Sequence, residues 1–312
     1  MKSFFRLSLR LCLNIYAFIL CLGSLIWANA TAYIFYLISR FIFLIFKTNY
    51  YNGFYFIFPF QTFEQWKEYI LILKSFIKET SFRETFDILY YKFRNNNQDT
   101  DIDLPYFKFP EIKSEKTFYD SQEFPGWEIL IKNKQKILSE YLKAKDNVKP
   151  YIDEAGNPHF DWNTIMLFGN GQLIESTKSY FPITLDIISN LPDIECSMVM
   201  FSILKPGAII PPHTGPFNSH LRVHLPIILP VETKSCIIKV GIENRNWEED
   251  NLLIFDDSYL HSVSNKTSDV RVILMMSVWK PDIQPHLKNL IEKFISLFNS
   301  SPPLKKWMED NS

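Results

Sequence analysis

FSILKPGAIIPPHTGPFNSHLRVHLPIILP, residues 201–230, and SCIIKVGIENRNWEEDNLLIFDDSYLHSVSNKTSDVRVILMMSVWKP, residues 235–281, decide the fold. They hold four of the six histidines, His213, His220, His224 and His261, with Arg222 and Arg271 on apolar runs beside them. Within Ser219–Leu225 the residues His220, Arg222 and His224 share one parity, and Leu221, Val223 and Leu225 the other. Successive strand residues point to opposite faces, so this run reads as a strand with one basic and one apolar face. A solvent-facing polar side would suit a single strand. A small barrel with a ligand inside accounts for both faces when the same device recurs beside His213 and His261.

Outward from this stretch, short apolar runs follow one another after Pro150: Thr164–Phe168, Cys196–Leu204, Leu221–Leu229, Cys236–Val240, Leu252–Phe255 and Val270–Trp279. Pro, Gly, Asn and Asp separate them, the pattern of an antiparallel β domain. His213, in Pro-Pro-His-Thr-Gly-Pro, and His261, after Phe255-Asp256-Asp257-Ser258, are assigned to turns between strands. Two imidazoles at neighbouring strand ends can converge on one redox metal, which also needs open positions for substrate and O₂. Each alone reads more readily as a surface histidine. Arg271 supplies a planar partner for a carboxylate, so an organic acid that chelates the metal is the economical ligand. Asp256 or Asp257 as a third ligand stands against a structural turn. No role in catalysis is expected for His159, His220 or His286.

Upstream, Trp127–Ala144 has helical spacing, as does a set at Phe60, Phe63, Trp66, Ile70, Leu73 and Ile77 that reads as a collar, either interfacial or packed on the barrel. Asn95–Asp103 is a polar linker. Leu287, Leu290, Ile291, Phe294, Ile295 and Phe298 mark one more amphipathic helix.

The N-terminal stretch carries the second strong signal. Leu11–Ser39 is 29 residues without a charge, longer than the roughly 20 that cross a bilayer. A signal peptide ending near Ala28-Asn29-Ala30 competes with an uncleaved anchor, and the apolar run continuing through Phe46 favours the anchor. Lys2, Arg6 and Arg10 on one side and Arg40 and Lys47 on the other leave its orientation undetermined by charge. These five cations are unopposed in residues 1–50, and the remaining chain holds 28 basic against 34 acidic residues. An acidic body excludes nucleic acid as a partner. The 312 residues, 47% hydrophobic and 16% aromatic, divide into an anchor (1–50), a helical collar and linker (51–110) and a catalytic domain (111–312). Cys196 and Cys236 could pair, although nothing in their spacing demands it.

His213-Thr214-Gly215-Pro216, Asn218, Leu221–Leu225, Trp247-Glu248-Glu249, Phe255–Ser258, His261, Arg271 and Val278–Pro281, in this order, resemble the aspartyl/asparaginyl β-hydroxylase family. The likeness covers about Trp162 to Pro281, with a weaker echo in Phe107–Glu140. It implies a double-stranded β-helix (jelly-roll, cupin-like), mainly β with flanking helices, and a dioxygenase that uses Fe(II), 2-oxoglutarate and O₂. It further implies His213 and His261 as iron ligands, with Gly215 where related oxygenases place a ligating carboxylate. Arg271 and Ser202 would then hold the distal carboxylate of 2-oxoglutarate, and Arg222 and His224 would lie at its chelating end. The implied substrate is the β-carbon of Asp or Asn residues in a protein. A lipid A acyl chain at the membrane is the alternative, and a non-catalytic binding barrel the second. Where the family's protein hydroxylases commonly read His-Glu-Val, this chain has His261-Ser262-Val263, a departure that bears on substrate and not on iron.

Overall fold

A computed structural model describes residues 27–46, 62–79, 105, 107–109, 111–152, 157–169, 171–281, 283–300 and 302–311, with isolated positions at 15, 18–20, 22, 23 and 85. The basic residues Lys2, Arg6, Arg10 and Lys47 and the linker 95–103 lie outside the described residues. Along the chain come α1 (Ala28–Phe46), α2 (Phe63–Glu79), β1 (Phe118–Tyr119), α3 (Glu128–Lys132), α4 (Lys134–Ala144), β2 (Lys149–Ile152), β3 (Pro158–Gly169), β4 (Gln172–Leu173) and α5 (Pro182–Ser189). There follow β5 (Ile194–Leu204), β6 (Ile209–His213), β7 (His220–Ile228), β8 (Cys236–Val240), β9 (Glu243–Arg245), β10 (Leu253–Phe255), β11 (His261–Asn265) and β12 (Arg271–Trp279). Helices α6 (Pro285–Asn299) and α7 (Pro302–Asn311) complete the series.

The residues fall into two compact units, one drawn from 1–98, 104–112 and 282–306, the other from 99–103, 113–281 and 307–312. In the first, α2 buries Trp66, Ile70 and Leu73, with Trp66 stacked on Phe35 of α1 at 5.4 Å. Helix α6 buries Leu287, Ile291, Phe294 and Ile295, the face its spacing specified. Among the described residues no helix is long and apolar enough to cross a membrane. Helix α1 comes nearest. Its 19 residues extend about 28 Å against a hydrocarbon core of about 30 Å, and they include Asn29 and Arg40.

The second unit is built on two antiparallel sheets. The larger runs β1-β10-β7-β12-β5-β3-β2 with β4 paired to β3, and the smaller runs β6-β11-β8-β9. From β5 onward the chain alternates between them: β5 large, β6 small, β7 large, β8 and β9 small, β10 large, β11 small, β12 large. This alternation is a double-stranded β-helix. Parity divides the large sheet as the sequence pattern requires. Leu221, Val223, Leu225, Leu274 and Met276 pack outward with Leu130, Ile137, Ile187 and Ile188 of the helices, each buried side chain contributing about 1.5–3 kcal/mol. On the inner face Met200, Leu204, Ile273 and Met275 meet Ile210, Ile238, Val240 and Val263 of the small sheet. The helix expected over 127–144 is divided at Asn133, whose side-chain amide bonds the Ile129 carbonyl at 3.0 Å and whose backbone leaves helical geometry.

The two strands that carry the candidate metal ligands escaped the sequence reading. His213 and His261 lie not in turns but at the paired ends of β6 and β11, in direct register. Pro211 and Pro212 masked β6, yet this is an edge strand, where proline's missing N–H breaks no ladder. Between His213 and Ile210 the β6 strand spends one residue more than β11 does between His261 and Val263, so the prolines sit in a bulge.

The turn between β10 and β11 is held by a buried ion pair. Lys280 Nζ donates to Asp256 Oδ2 at 2.5 Å and to Ser114 Oγ at 2.8 Å, while Asp256 Oδ1 accepts Ser258 N–H and O–H. Burial pushes the Asp256 carboxyl above its ordinary range even with Lys280 beside it. Lys280→Met strands that carboxylate and should cost about 3 kcal/mol, read as a fall in Tm of roughly 6–12 °C. The double variant Lys280→Met/Asp256→Asn should recover most of the loss in the same thermal melt.

Candidate active site

Ser202, His213, Gly215, Arg222, His224, Asp257, His261 and Arg271 line one cavity of about 130 Å³ between the two sheets. The tertiary fold thus brings together all six candidate residues from five strands, β5, β7 and β12 of the large sheet and β6 and β11 of the small one. His220 does not line it and lies against Trp279, ring centroids 4.1 Å apart. Cys196 and Cys236 are not bridged.

At one end the His213 and His261 rings sit 4.1 Å apart between centroids. The His213 Nδ1–H donates to the Pro211 carbonyl at 2.8 Å and the His261 Nδ1–H to the Tyr259 carbonyl at 2.9 Å. Each bond fixes the tautomer that keeps the lone pair on Nε2, the state a metal ligand needs. Burial, then the neighbouring His213, holds His261 well below the usual histidine range, so it is neutral near pH 7.

Among the described residues no group of three or more His, Cys, Asp or Glu is arranged to hold a metal. The two acids of the turn are engaged elsewhere, Asp256 by Lys280 and Asp257 by Arg222, whose Nε and Nη2 donate to Asp257 Oδ2 at 3.1 and 2.6 Å. Gly215 explains the missing third ligand sterically. A Cβ there would stand 2.6 Å from the Asp257 carboxylate, and the Gly215 N–H donates to the Asp257 carbonyl at 2.6 Å. A ligating side chain at 215 has no room.

The other end of the cavity is cationic. Arg271 is 1% exposed, and its guanidinium lies 4.9 Å over the Trp247 ring and donates from Nη2 to Ser202 Oγ at 3.0 Å. Its Nε has no hydrogen-bond partner and no carboxylate neutralises it among the described residues; burial lowers its pKa to about 10. His224 accepts the Trp247 Nε1–H on Nδ1 at 3.2 Å, which puts its proton on Nε2, a buried atom likewise without a partner. Burial, then Arg271 and Arg222, keeps His224 neutral. The two arginines therefore differ. Arg222 already has its counter-ion in Asp257 and a further bond to Ser277 Oγ at 3.0 Å, whereas Arg271 has no counter-ion among the described residues.

Sequence reasoning missed the aromatic and sulfur wall of this cavity: Tyr151, Trp162, Met198, Met200 and Met275. Inward parity on β5 and β12 was the available signal for the methionines. Nothing local marks Tyr151 or Trp162.

The residues fit an iron and a 2-oxo diacid. Two imidazoles present metal-binding tautomers, and Arg271 Nε and His224 Nε2 are buried without hydrogen-bond partners where an anion would bond. Comparison with known proteins finds hydroxylases. Residues 131–281 match the Aspartyl/Asparaginyl beta-hydroxylase family. The human aspartyl/asparaginyl beta-hydroxylase is 34% identical over 50% of this chain and 21% of its own length. An ornithine lipid ester-linked acyl 2-hydroxylase from Rhizobium tropici is 37% identical over 38% of this chain and 42% of its own. The chain therefore spans about a fifth of the human relative and less than half of the rhizobial one. A solved Pseudomonas putida prolyl-4-hydroxylase aligns with 48% of this chain and 86% of its own at 13% identity and a TM-score of 0.32, a remote likeness from which nothing further follows. On its barrel motifs and this match, the segment 131–281 belongs to the aspartyl/asparaginyl β-hydroxylase family.

Proposed function

We propose that the chain is an Fe(II)- and 2-oxoglutarate-dependent hydroxylase of an unactivated carbon. The observation that carries this reading is the buried, unneutralised Arg271 guanidinium, set in one cavity with the His213/His261 pair. A charge in that position is costly unless a ligand carboxylate completes it.

In this reading His213 and His261 hold iron through Nε2. Arg271 and the Ser202 hydroxyl take the distal carboxylate of 2-oxoglutarate, and the His224 Nε2–H and Arg222 lie at its chelating end. When bound, iron and 2-oxoglutarate use O₂ to turn a substrate C–H into C–OH, the co-substrate leaving as succinate and CO₂. The chain's own part is to orient and to exclude water. Asp257, tied to Arg222 and filling the space at Gly215, keeps the face beside the histidines clear of any third protein ligand.

For the substrate, resemblance alone puts the β-carbon of Asp or Asn first, and the name of the human relative supports it. The cavity favours the second class. Its wall of Tyr151, Trp162, Met198, Met200 and Met275 is apolar, and its donors are taken up by the co-substrate or by Asp257. A second carboxylate or amide would find few partners there, whereas an alkyl carbon of a lipid acyl chain needs none. The apolar stretch 11–46 would hold the enzyme at a membrane, where such chains are met.

His213→Ala should abolish substrate-dependent succinate release from 2-oxoglutarate; unchanged turnover in that variant would leave a binding barrel as the better description. Mass spectrometry of extracted lipids and of the proteome, with and without the protein, addresses the substrate. An added oxygen on acyl chains is the expected result. An added oxygen confined to Asp- or Asn-containing peptides returns the protein reading to first place.

A further inference from the structure

Helix α7 lies outside the family segment 131–281, yet its last turn packs behind Tyr151, a residue of the cavity wall. Trp307 is 7% exposed and belongs to the apolar cluster that lines the inter-sheet space with Tyr151, Met200 and Ile210. Its indole N–H donates to the Ile152 carbonyl at 2.8 Å. Asn311, 2% exposed, takes the Ile152 N–H on Oδ1 at 3.0 Å and returns Nδ2–H to the Ile152 carbonyl at 3.1 Å and the Trp307 carbonyl at 2.9 Å. Ile152 ends β2, the outermost strand of the large sheet. A side-chain amide thus does what a neighbouring strand would do for that peptide unit, sealing an otherwise open edge. Met308 fills the space that a Cβ on Gly169 would need.

From that edge a line of contacts runs inward. Trp307 meets Tyr151 edge-on at 6.2 Å, and Tyr151 stacks on Trp162 at 3.9 Å with 27° between planes. The Trp162 indole N–H then donates to Ser202 Oγ at 2.9 Å, the oxygen that also accepts from Arg271 at 3.0 Å. Both partners are donors only, so together they occupy the two lone pairs of Ser202 and leave its hydroxyl proton to be donated. Ser202, Trp162, Tyr151 and Arg271 all line the cavity.

We propose that the turn Trp307–Asn311 is a positioning element for the co-substrate: through Tyr151 and Trp162 it holds the Ser202 hydroxyl as a donor to the distal carboxylate beside Arg271. The inference rests on the co-substrate reading above. It assigns α7 a task in binding and makes Trp162 the residue that transmits it.

The test measures affinity in the full chain loaded with redox-silent Mn(II), by calorimetry, for 2-oxoglutarate and for 2-oxopentanoate, which has a methyl in place of the distal carboxylate. Trp307→Ala and Trp162→Phe should each weaken 2-oxoglutarate about tenfold, the worth of one hydrogen bond to a charged group. Neither should change 2-oxopentanoate, and Trp307→Phe should bind both acids as the native chain does. Asn311→Ala, which loosens the turn from Ile152 while the indole remains, should show a smaller loss of the same selectivity. Equal affinity of the native chain, Trp307→Ala and Trp162→Phe for 2-oxoglutarate, or an equal loss of both acids in the two variants, overturns the inference. A native chain that does not prefer 2-oxoglutarate to 2-oxopentanoate overturns the co-substrate reading itself.

Discussion

A guanidinium buried to 1% without a carboxylate partner among the described residues is the constraint around which this barrel is arranged. Removing such a charge from water is costly, and a fold that accepts it has to return part of the loss locally. Here the return comes from the Trp247 ring beneath it and from Ser202 beside it. Trp247 also fixes His224 by donating to Nδ1, so one indole supports both cavity residues that keep a buried nitrogen without a hydrogen-bond partner.

The opposite end of the cavity solves a different problem, that of presenting two imidazoles without crowding them with acids. Two consecutive aspartates precede His261, and each is drawn to its own cation. Asp256 is tied to Lys280 behind the turn, and Asp257 to Arg222 beside the cavity. Opposite outlets for neighbouring side chains follow from the turn geometry that Ser258 stabilises through Asp256. With the Asp257 carboxylate against Gly215, only a residue without Cβ can follow Thr214. The glycine that looks like a lost ligand is therefore the complement of a carboxylate delivered from the turn between β10 and β11.

Registry joins the two ends. His213 and His261 are direct partners across β6 and β11, and Arg222 and His224 alternate with outward leucine and valine on β7. A one-residue slip of β7 would exchange its basic and apolar faces, so burial on both sides of the sheet specifies the register and with it the site. The small-sheet histidines reach the same cavity because a bulge carries the two prolines of β6.

Local pattern was enough for much of this. Alternation in Ser219–Leu225 determined which side chains of β7 turn inward, and short apolar runs between turn residues determined an antiparallel β unit. Both are properties of near neighbours in the chain. The order of the family motifs then pointed to His213, His261, Arg271 and Ser202. Tertiary structure alone decided what depends on residues far apart in sequence. It made strands of Ile209–His213 and His261–Asn265, because a proline-bearing segment is tolerated only where a sheet happens to end. It separated Arg222, neutralised by Asp257, from Arg271, which is not. It also brought Trp307 and Asn311 against Ile152, a contact spanning more than 150 positions. Such pairings are set by the closure of the sheets, and no periodicity within either segment records them.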